Sequence, residues 1–317
     1  MKKIKVGIIG LGNIGLKRYA ELKKFKNVKI IAICDKKKIQ SQKNVIFLRS
    51  WRSIINYELD LVIVSAPTKI SEKIAYNLSD KFNLLVEKPL SQNISFAKKI
   101  ISRSIKSKKI FKVGYNLRFD AGIQKAESIF RSGKIGKIYY SKITYANGAT
   151  KTNTNKVGSL LDLGSHALNL FNFFFKTINI KKISKIDQKN EFLNKTKIDN
   201  SFSIFKIKKI NCFLHHGFCT WKNNFEFDIY GSRGFLKVLS LPKWGDQQVV
   251  YGRRTFPSGV PVIKKWIFKK DKSWANELSY VIDKIRKKTK NLKNNYEALQ
   301  TLAMINKIKN LNVQFNK

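Results

Sequence analysis

Acidic residues are scarce in this chain. Asp and Glu number 20 against 64 Lys and Arg, a formal net charge of +44. So basic a balance ordinarily raises nucleic acid as a partner. Here the basic residues are spread from Lys2 to Lys317 among abundant Ile, Asn and Phe, which reads as a compositional bias. The densest clusters fall at 36–38, 106–109 and 284–293, and only the last, on an expected C-terminal helix, resembles an anionic-surface patch. The expectation is no nucleic-acid partner, and a surface that attracts anionic substrates and cofactors.

Cysteine is scarce as well. Cys34, Cys212 and Cys219 have no metal-like spacing and fit a reducing cytoplasm, the expected location. No run of about 18 uninterrupted apolar residues is present, so no membrane span is expected. The most apolar segment, 160–175, is broken by Asp162, His166 and two asparagines. The opening charge leads into a glycine motif instead of a cleavage site, so no secretory leader is expected either. Internal repeats and low-complexity linkers are lacking. What is present is 317 residues, 43% of them hydrophobic, enough for two domains with cores.

The strongest local signal opens the chain. An apolar run at 4–9 reads as a buried strand and leads into Gly10-Leu11-Gly12-Asn13-Ile14-Gly15, with an amphipathic helix following at 16–25. Strand, G-x-G-x-x-G and helix in that order form the dinucleotide fingerprint. Gly10 serves the tight turn, Gly12 the approach of backbone to pyrophosphate, and Gly15 the packing of helix on strand. The helix N-terminus offers free N–H groups to phosphate. A second strand, 28–34, ends at Asp35, where an acidic residue would hold the ribose hydroxyls. This predicts NAD; the lysines at 36–38 leave NADP open.

Strands and helices then alternate. Helices are expected at 50–56, 70–79 and 93–107. Near-continuous apolar strands are expected at 59–64, 83–86 and 110–114, as in a parallel sheet buried on both faces. Ligands of a doubly wound sheet sit at the carboxyl ends of its strands. Gly10, Asp35, Ser65-Ala66-Pro67-Thr68, Glu87-Lys88-Pro89 and Tyr115 all fall at such ends. After Asp120 the pattern changes. A helix at 121–132 precedes a strand at 137–145, a loop at 147–158 and a buried helix at 160–175. Strands without intervening helices follow at 178–186, 201–207, 210–218, 224–230 and 235–239, with Gly231 and Gly234 turning a hairpin. A loop region through Pro242, Pro257 and Pro261 precedes helices at 274–287 and 296–309. The expected fold is an α/β Rossmann domain at 1–118, then an α+β domain at 119–317 with a mostly antiparallel, open-faced sheet.

With the glycine turn stand Val86-Glu87-Lys88-Pro89, Val113-Gly114-Tyr115-Asn116-Leu117-Arg118-Phe119, Gly158 through His166, and Ile229-Tyr230-Gly231-Ser232-Arg233-Gly234. In this order they resemble the glucose–fructose oxidoreductase and inositol dehydrogenase family, Gfo/Idh/MocA. The resemblance implies NAD(P)-dependent oxidation or reduction of a sugar, cyclitol or nucleotide-linked sugar. It implies Lys88, Asp162 and His166 as site residues, and a dimer or tetramer formed through the open sheet. The chain departs from the pattern at Asn169, where many members carry a second acidic residue, and at Ser71, where many carry histidine.

Asp162 and His166 lie four apart, so one helix would present both on one face. His166 is the expected base for the hydroxyl proton, with Asp162 orienting it. Lys88 would polarise the substrate oxygen or share the proton transfer, and Glu87 would serve the cofactor ribose or its loop. The cofactor residues expected are Gly10, Gly12, Asn13, Ile14, Gly15, Asp35, Ser65, Ala66, Pro67, Thr68, Glu87 and Lys88. Tyr115, Arg118 and Asn169 are expected at the substrate. No metal is expected. His215 and His216 read as structural, Trp274 as packing and Glu277 as first-turn charge. Two other functions fit the motifs less well: a glycosidase using transient oxidation, and a non-catalytic dinucleotide- or nucleic-acid-binding protein.

Overall fold

The computed structural model describes residues 2–37, 44–148, 158–176, 179–189, 198–288 and 293–311. Most of the loop expected at 147–158, and parts of the basic clusters at 36–38 and 284–293, lie outside these residues. Contacts divide the chain into two compact units. One runs to Asn116 and also takes in Trp274–Leu302; the other is Leu117–Ser273 with the residues from Ala303 onward. The division expected at residue 118 therefore differs in two respects: the first unit ends at Asn116, and it also takes in Trp274–Leu302.

In the first unit the strands are β1 (Ile4–Ile9), β2 (Val28–Cys34), β3 (Ile46–Leu48), β4 (Leu61–Val64), β5 (Asn83–Glu87) and β6 (Phe111–Gly114). All their pairings are parallel, in the order β3-β2-β1-β4-β5-β6. Every residue of β4 and β6 is buried, as the apolar runs require. Helices α1 (Asn13–Leu22), α2 (Thr68–Leu78) and α3 (Ile94–Lys106) make the crossovers. Asn93 caps α3 by accepting the Phe96 amide at 3.1 Å. A 3-10 turn, Trp51–Asn56, takes the place of the helix expected there. The helix α6 (Ser273–Arg286) contributes Leu278, Val281 and Ile282 to the core formed by Ile4, Val6, Ile8, Ile33, Leu61 and Ile63. That apolar stripe is why the segment belongs to this unit.

The second unit carries an eight-stranded sheet. Its strands are β7 (Ile138–Gly148), β8 (Ile180–Lys189), β9 (Ile198–Ile207), β10 (Ile210–Gly217), β11 (Cys219–Gly231), β12 (Gly234–Leu239), β13 (Gln247–Arg253) and β14 (Val262–Phe268). The order is β14-β13-β12-β11-β7-β10-β9-β8, antiparallel except at β7–β10. The strands β13 and β14 correct the loop expected around Pro242, Pro257 and Pro261. Pro242 sits in a 3-10 turn, and the other two prolines lie in the β13–β14 connection, so none removes a ladder donor. The lysine-rich β14 is largely exposed, which hides its strand pattern.

Helix α4 (Ala121–Arg131) is capped by Asp120, whose carboxylate accepts the Ile123 amide at 3.0 Å. Helix α5 (Ser165–Phe175) lays Phe171 and Phe174 on the inner face of the sheet. Phe171 meets Phe205 at 5.6 Å, and Phe174 meets Phe227 at 4.7 Å between ring centroids. The alternation at 225–229 is borne out on this face, where Phe225, Phe227 and Ile229 are buried. The outer face shows Tyr140, Phe202, Ile204 and Phe213 instead. A final helix, α7 (Lys293–Lys309), ends the described fold.

Candidate active site

The glycine turn is built as its spacing demands. Gly10 has φ +87°, and a Cβ there would lie 2.8 Å from the Ala66 amide. A Cβ on Gly15 would lie 1.9 Å from the Gly10 carbonyl, so helix and turn close only on glycine. Gly12 faces open space: a Cβ would meet nothing within 4 Å. That is the cradle a pyrophosphate needs, since the ligand can approach the bare backbone there. Gly12 is also the N-cap of α1, with no capping side chain and no acidic residue in the first turn. The helix end keeps its donors and positive dipole for an anion. These residues fit a dinucleotide.

Asp35 lies at the end of β2 with its carboxylate already engaged. Oδ2 accepts the Leu11 amide at 2.6 Å and Oδ1 the Lys37 amide at 2.9 Å. The Leu11 turn is thus tied to this carboxylate, whose oxygens each retain a lone pair for a further donor. Ser65 and Ala66 pack against Gly10, and Pro67 and Thr68 open α2. Ser71, in place of the expected histidine, is buried and donates its hydroxyl to the Ala66 carbonyl at 2.6 Å.

Glu87 ends β5 in an ion triad that sequence reading missed. Arg18 on α1 is completely buried; its Nε donates to Glu87 Oε1 at 2.7 Å, and its Nη2 to Glu277 Oε2 at 2.6 Å. Glu277 is therefore a buried partner of Arg18, which corrects its reading as first-turn charge. Burial pushes the Glu277 carboxyl up, against the pull of Arg18. Gly114 makes room, because a Cβ there would lie 2.9 Å from Arg18 Nη2 and 3.0 Å from Glu87 Oε2. Trp274 covers the guanidinium at 4.4 Å. One signal was available: Arg18 sits three residues past Gly15, on the buried stripe of α1 that continues to Leu22. The next residue after Glu87 is Lys88, joined to Pro89 by a cis peptide.

In the second unit Asp162 and His166 flank a change of helix type. Leu160–Gly164 is a π turn that runs without a break into α5 at Ser165, so the helix expected at 160–175 is present but opens in the π register. Such turns close a wider ring, i to i+5, and occur often at functional sites. His216 supports the turn from the sheet, with Nδ1 2.9 Å from Ser159 Oγ and its ring 3.0 Å from where a Gly164 Cβ would stand. Burial drives the His216 pKa down to about 3, so it is neutral. This agrees with its structural reading. His215 stacks on Phe202 at 4.2 Å on the outer face, also as expected.

The residues expected at the substrate are all buried: Tyr115 at 3%, Arg118 at 5% and Asn169 at 1% exposure. Arg118 and Asn169 meet each other, Nε donating to Oδ1 at 2.5 Å and Nη2 to the Asn169 carbonyl at 3.3 Å. The fork of Arg118 thus steadies α5 beside His166. Around His166 stand residues that the sequence did not flag. The Tyr145 ring is 6.0 Å away, and Lys243 Nζ donates to Tyr145 Oη at 3.1 Å.

A three-glycine turn on a parallel sheet of this order defines a dinucleotide-binding Rossmann domain. Comparison with known proteins makes this specific. Residues 4–115 match the oxidoreductase family with NAD-binding Rossmann fold, and residues 123–237 match the GFO/IDH/MocA C-terminal domain. The chain belongs to the Gfo/Idh/MocA family. It is 29% identical over 151 residues to the myo-inositol 2-dehydrogenase of Thermotoga maritima, covering 44% of this chain and 45% of that one. It is 26% identical over 151 residues to the uncharacterised oxidoreductase YrbE of Bacillus subtilis, covering 45% and 44%. The matched stretch spans less than half of either curated relative. Among solved structures it is similar to a 3-ketoreductase from Actinomadura kijaniata in complex with NADP and TDP-benzene, with TM-score 0.84, 12% identity and 97% of both chains covered. An aldose-aldose oxidoreductase from Caulobacter crescentus gives TM-score 0.84 at 14% identity, again over 97% of both chains. At such identities the likeness shows the fold.

Proposed function

We propose that the chain is an NAD-dependent dehydrogenase acting on a hydroxyl carbon of a sugar, cyclitol or nucleotide-linked sugar. The observation that carries this reading is the glycine turn, with Gly12 open to a ligand and Gly10 and Gly15 closed to any side chain. Gly10 to Gly15, Asp35, Ser65 to Thr68 and the Glu87–Lys88 strand end hold the cofactor. When bound, it supplies the hydride acceptor. His166 takes the hydroxyl proton as the carbon is oxidised, and Asp162 orients the imidazole. Lys88 presents its ammonium to the substrate oxygen. Asp35 favours NAD by repelling a 2′-phosphate. Removing a positioned base lowers turnover about a hundred- to ten-thousandfold. His166→Asn should do so while NAD affinity stays unchanged, and Lys88→Met should lower turnover over the same range. The measurement is NADH formation across a panel of sugars and nucleotide sugars, beside an NAD titration. Full turnover in His166→Asn would overturn the assignment.

The outer sheet face supports self-association. Phe202 and Ile204 alternate outward on β9 at about half exposure, 50% and 49%, beside Phe213 and Tyr140. A contiguous aromatic patch of this kind is suited to a second copy of itself. A dimer or tetramer is the expected state in light scattering.

A further inference from the structure

Beside the His166 turn, the second unit holds a lysine whose surroundings set it apart from the surface lysines. The 3-10 turn Pro242–Trp244 is anchored by buried Leu241 and closed by Gly245 at φ +130°, a conformation that excludes a side chain. It sets Lys243 Nζ 3.1 Å from Tyr145 Oη and 4.5 Å from the centroid of the Trp244 ring. The rings continue the line: Trp244 to Tyr145 is 5.8 Å, and Tyr145 to His166 is 6.0 Å. Lys243 as a whole is exposed, yet the surroundings of its ammonium beside Tyr145 desolvate it enough to lower its pKa. Asp271 and Asp162 pull on it from a distance, but among the described residues no carboxylate comes within ion-pair range of it. Of three ammonium donors, Tyr145 takes one. A partly desolvated cation with donors to spare is stabilised most by an anion. Tyr145 is buried among these rings, whereas half-buried Trp244 offers an indole suited to the apolar side of a sugar ring.

We propose that Lys243, framed by Tyr145 and Trp244, recognises an anionic group on the sugar oxidised at His166, so that the substrate is an acidic sugar bearing a carboxylate or a phosphate. This rests on the dehydrogenase reading of the site and narrows its substrate class. Lys243 is a specificity residue here: it holds the anion and moves no proton.

The test compares pairs on the full chain with NAD: glucuronate against glucose, galacturonate against galactose, and glucose 1-phosphate against glucose. Wild type should favour the acidic member by at least about tenfold in kcat/KM, and the preferred pair tells carboxylate from phosphate. Lys243→Met keeps the stem and removes the charge. It should cut the acidic-to-neutral ratio by about ten- to a hundredfold, mainly through KM, and Lys243→Arg should restore part of it. A structural defect would lower both members alike and leave the ratio intact, which would overturn the proposal. So would a wild-type preference for the neutral member. Tryptophan fluorescence titrations with the same pairs read the discrimination without chemistry. Discrimination with no turnover would overturn the dehydrogenase reading alone, whereas turnover with no discrimination would overturn this proposal alone.

Discussion

Arg18→Met isolates the buried ion triad. Methionine keeps the apolar stem that packs under Trp274 and removes the charge. It leaves Glu87 at 12% and Glu277 at 0% side-chain exposure without the cation that both contact. Removing one partner of a buried pair costs about 3–5 kcal/mol, because the remaining charge is stranded. At about 1.4 kcal/mol per tenfold, local opening becomes roughly a hundred- to several-thousandfold more frequent. Hydrogen exchange resolves this without assuming that the two units unfold together. Amides of α1, β5 and α6 should lose protection by that factor, and those of α5 should not. The pH dependence has a definite sign. Stranded in the fold without Arg18, the Glu277 carboxyl titrates above its unfolded range, where burial already pushes it. The folded variant then binds more protons than the unfolded chain. Its penalty is least below the unfolded pKa, about 4.3 for glutamate, and grows as pH rises through the raised folded value. Protection within about fivefold of wild type near neutral pH, roughly 1 kcal/mol, would refute the reasoning. A penalty that does not shrink toward acid would refute it as well.

Three further outcomes follow from the geometry. Gly15→Ala drives a methyl into the Gly10 carbonyl; overpacking costs about 1–3 kcal/mol or more, read as a lower Tm and at least a tenfold loss of NAD affinity, and unchanged NAD binding would contradict it. Asp35→Asn keeps an acceptor for the Leu11 amide but drops the charge; the NADP-to-NAD affinity ratio should rise about tenfold or more, since hydrogen bonds to charged groups contribute about 1.5–3 kcal/mol, and a constant ratio in parallel titrations would remove Asp35 from cofactor choice. Phe202→Glu places a charge in the outer aromatic patch and should shift light scattering toward monomer at micromolar concentration; an unaltered mass would place the interface elsewhere.

What the sequence disclosed and what it hid divide along physical lines. The dinucleotide turn was legible because glycine spacing encodes backbone geometry directly, and Gly10, Gly12 and Gly15 each show the space that their roles require. Parallel strands were legible as apolar runs, and Phe225, Phe227 and Ile229 by their alternation. Strand β14 was not, because its exposed residues include the lysines of a chain that carries lysine everywhere. Long-range polar pairing was the least visible. Arg18 and Glu277 are 259 positions apart, and neither local pattern carries any trace of the other. Lys243 and Tyr145, 98 apart, hide for the same reason among 64 basic residues. The π turn at 160–164 was read as ordinary helix, because apolar content does not distinguish the two hydrogen-bond registers.

The central claim is that this chain moves a hydride from a hydroxyl-bearing carbon to a nicotinamide, with His166 taking the proton. Isotope transfer tests it most directly. Sugars that support NADH formation are supplied with deuterium on the carbon-bound hydrogens, and the reduced cofactor is weighed by mass spectrometry. The account predicts one deuterium per NADH formed from the wild type, and a rate about a hundred- to ten-thousandfold lower from His166→Asn with the same label content. NADH that carries no deuterium, or label transfer at full rate in His166→Asn, would contradict it.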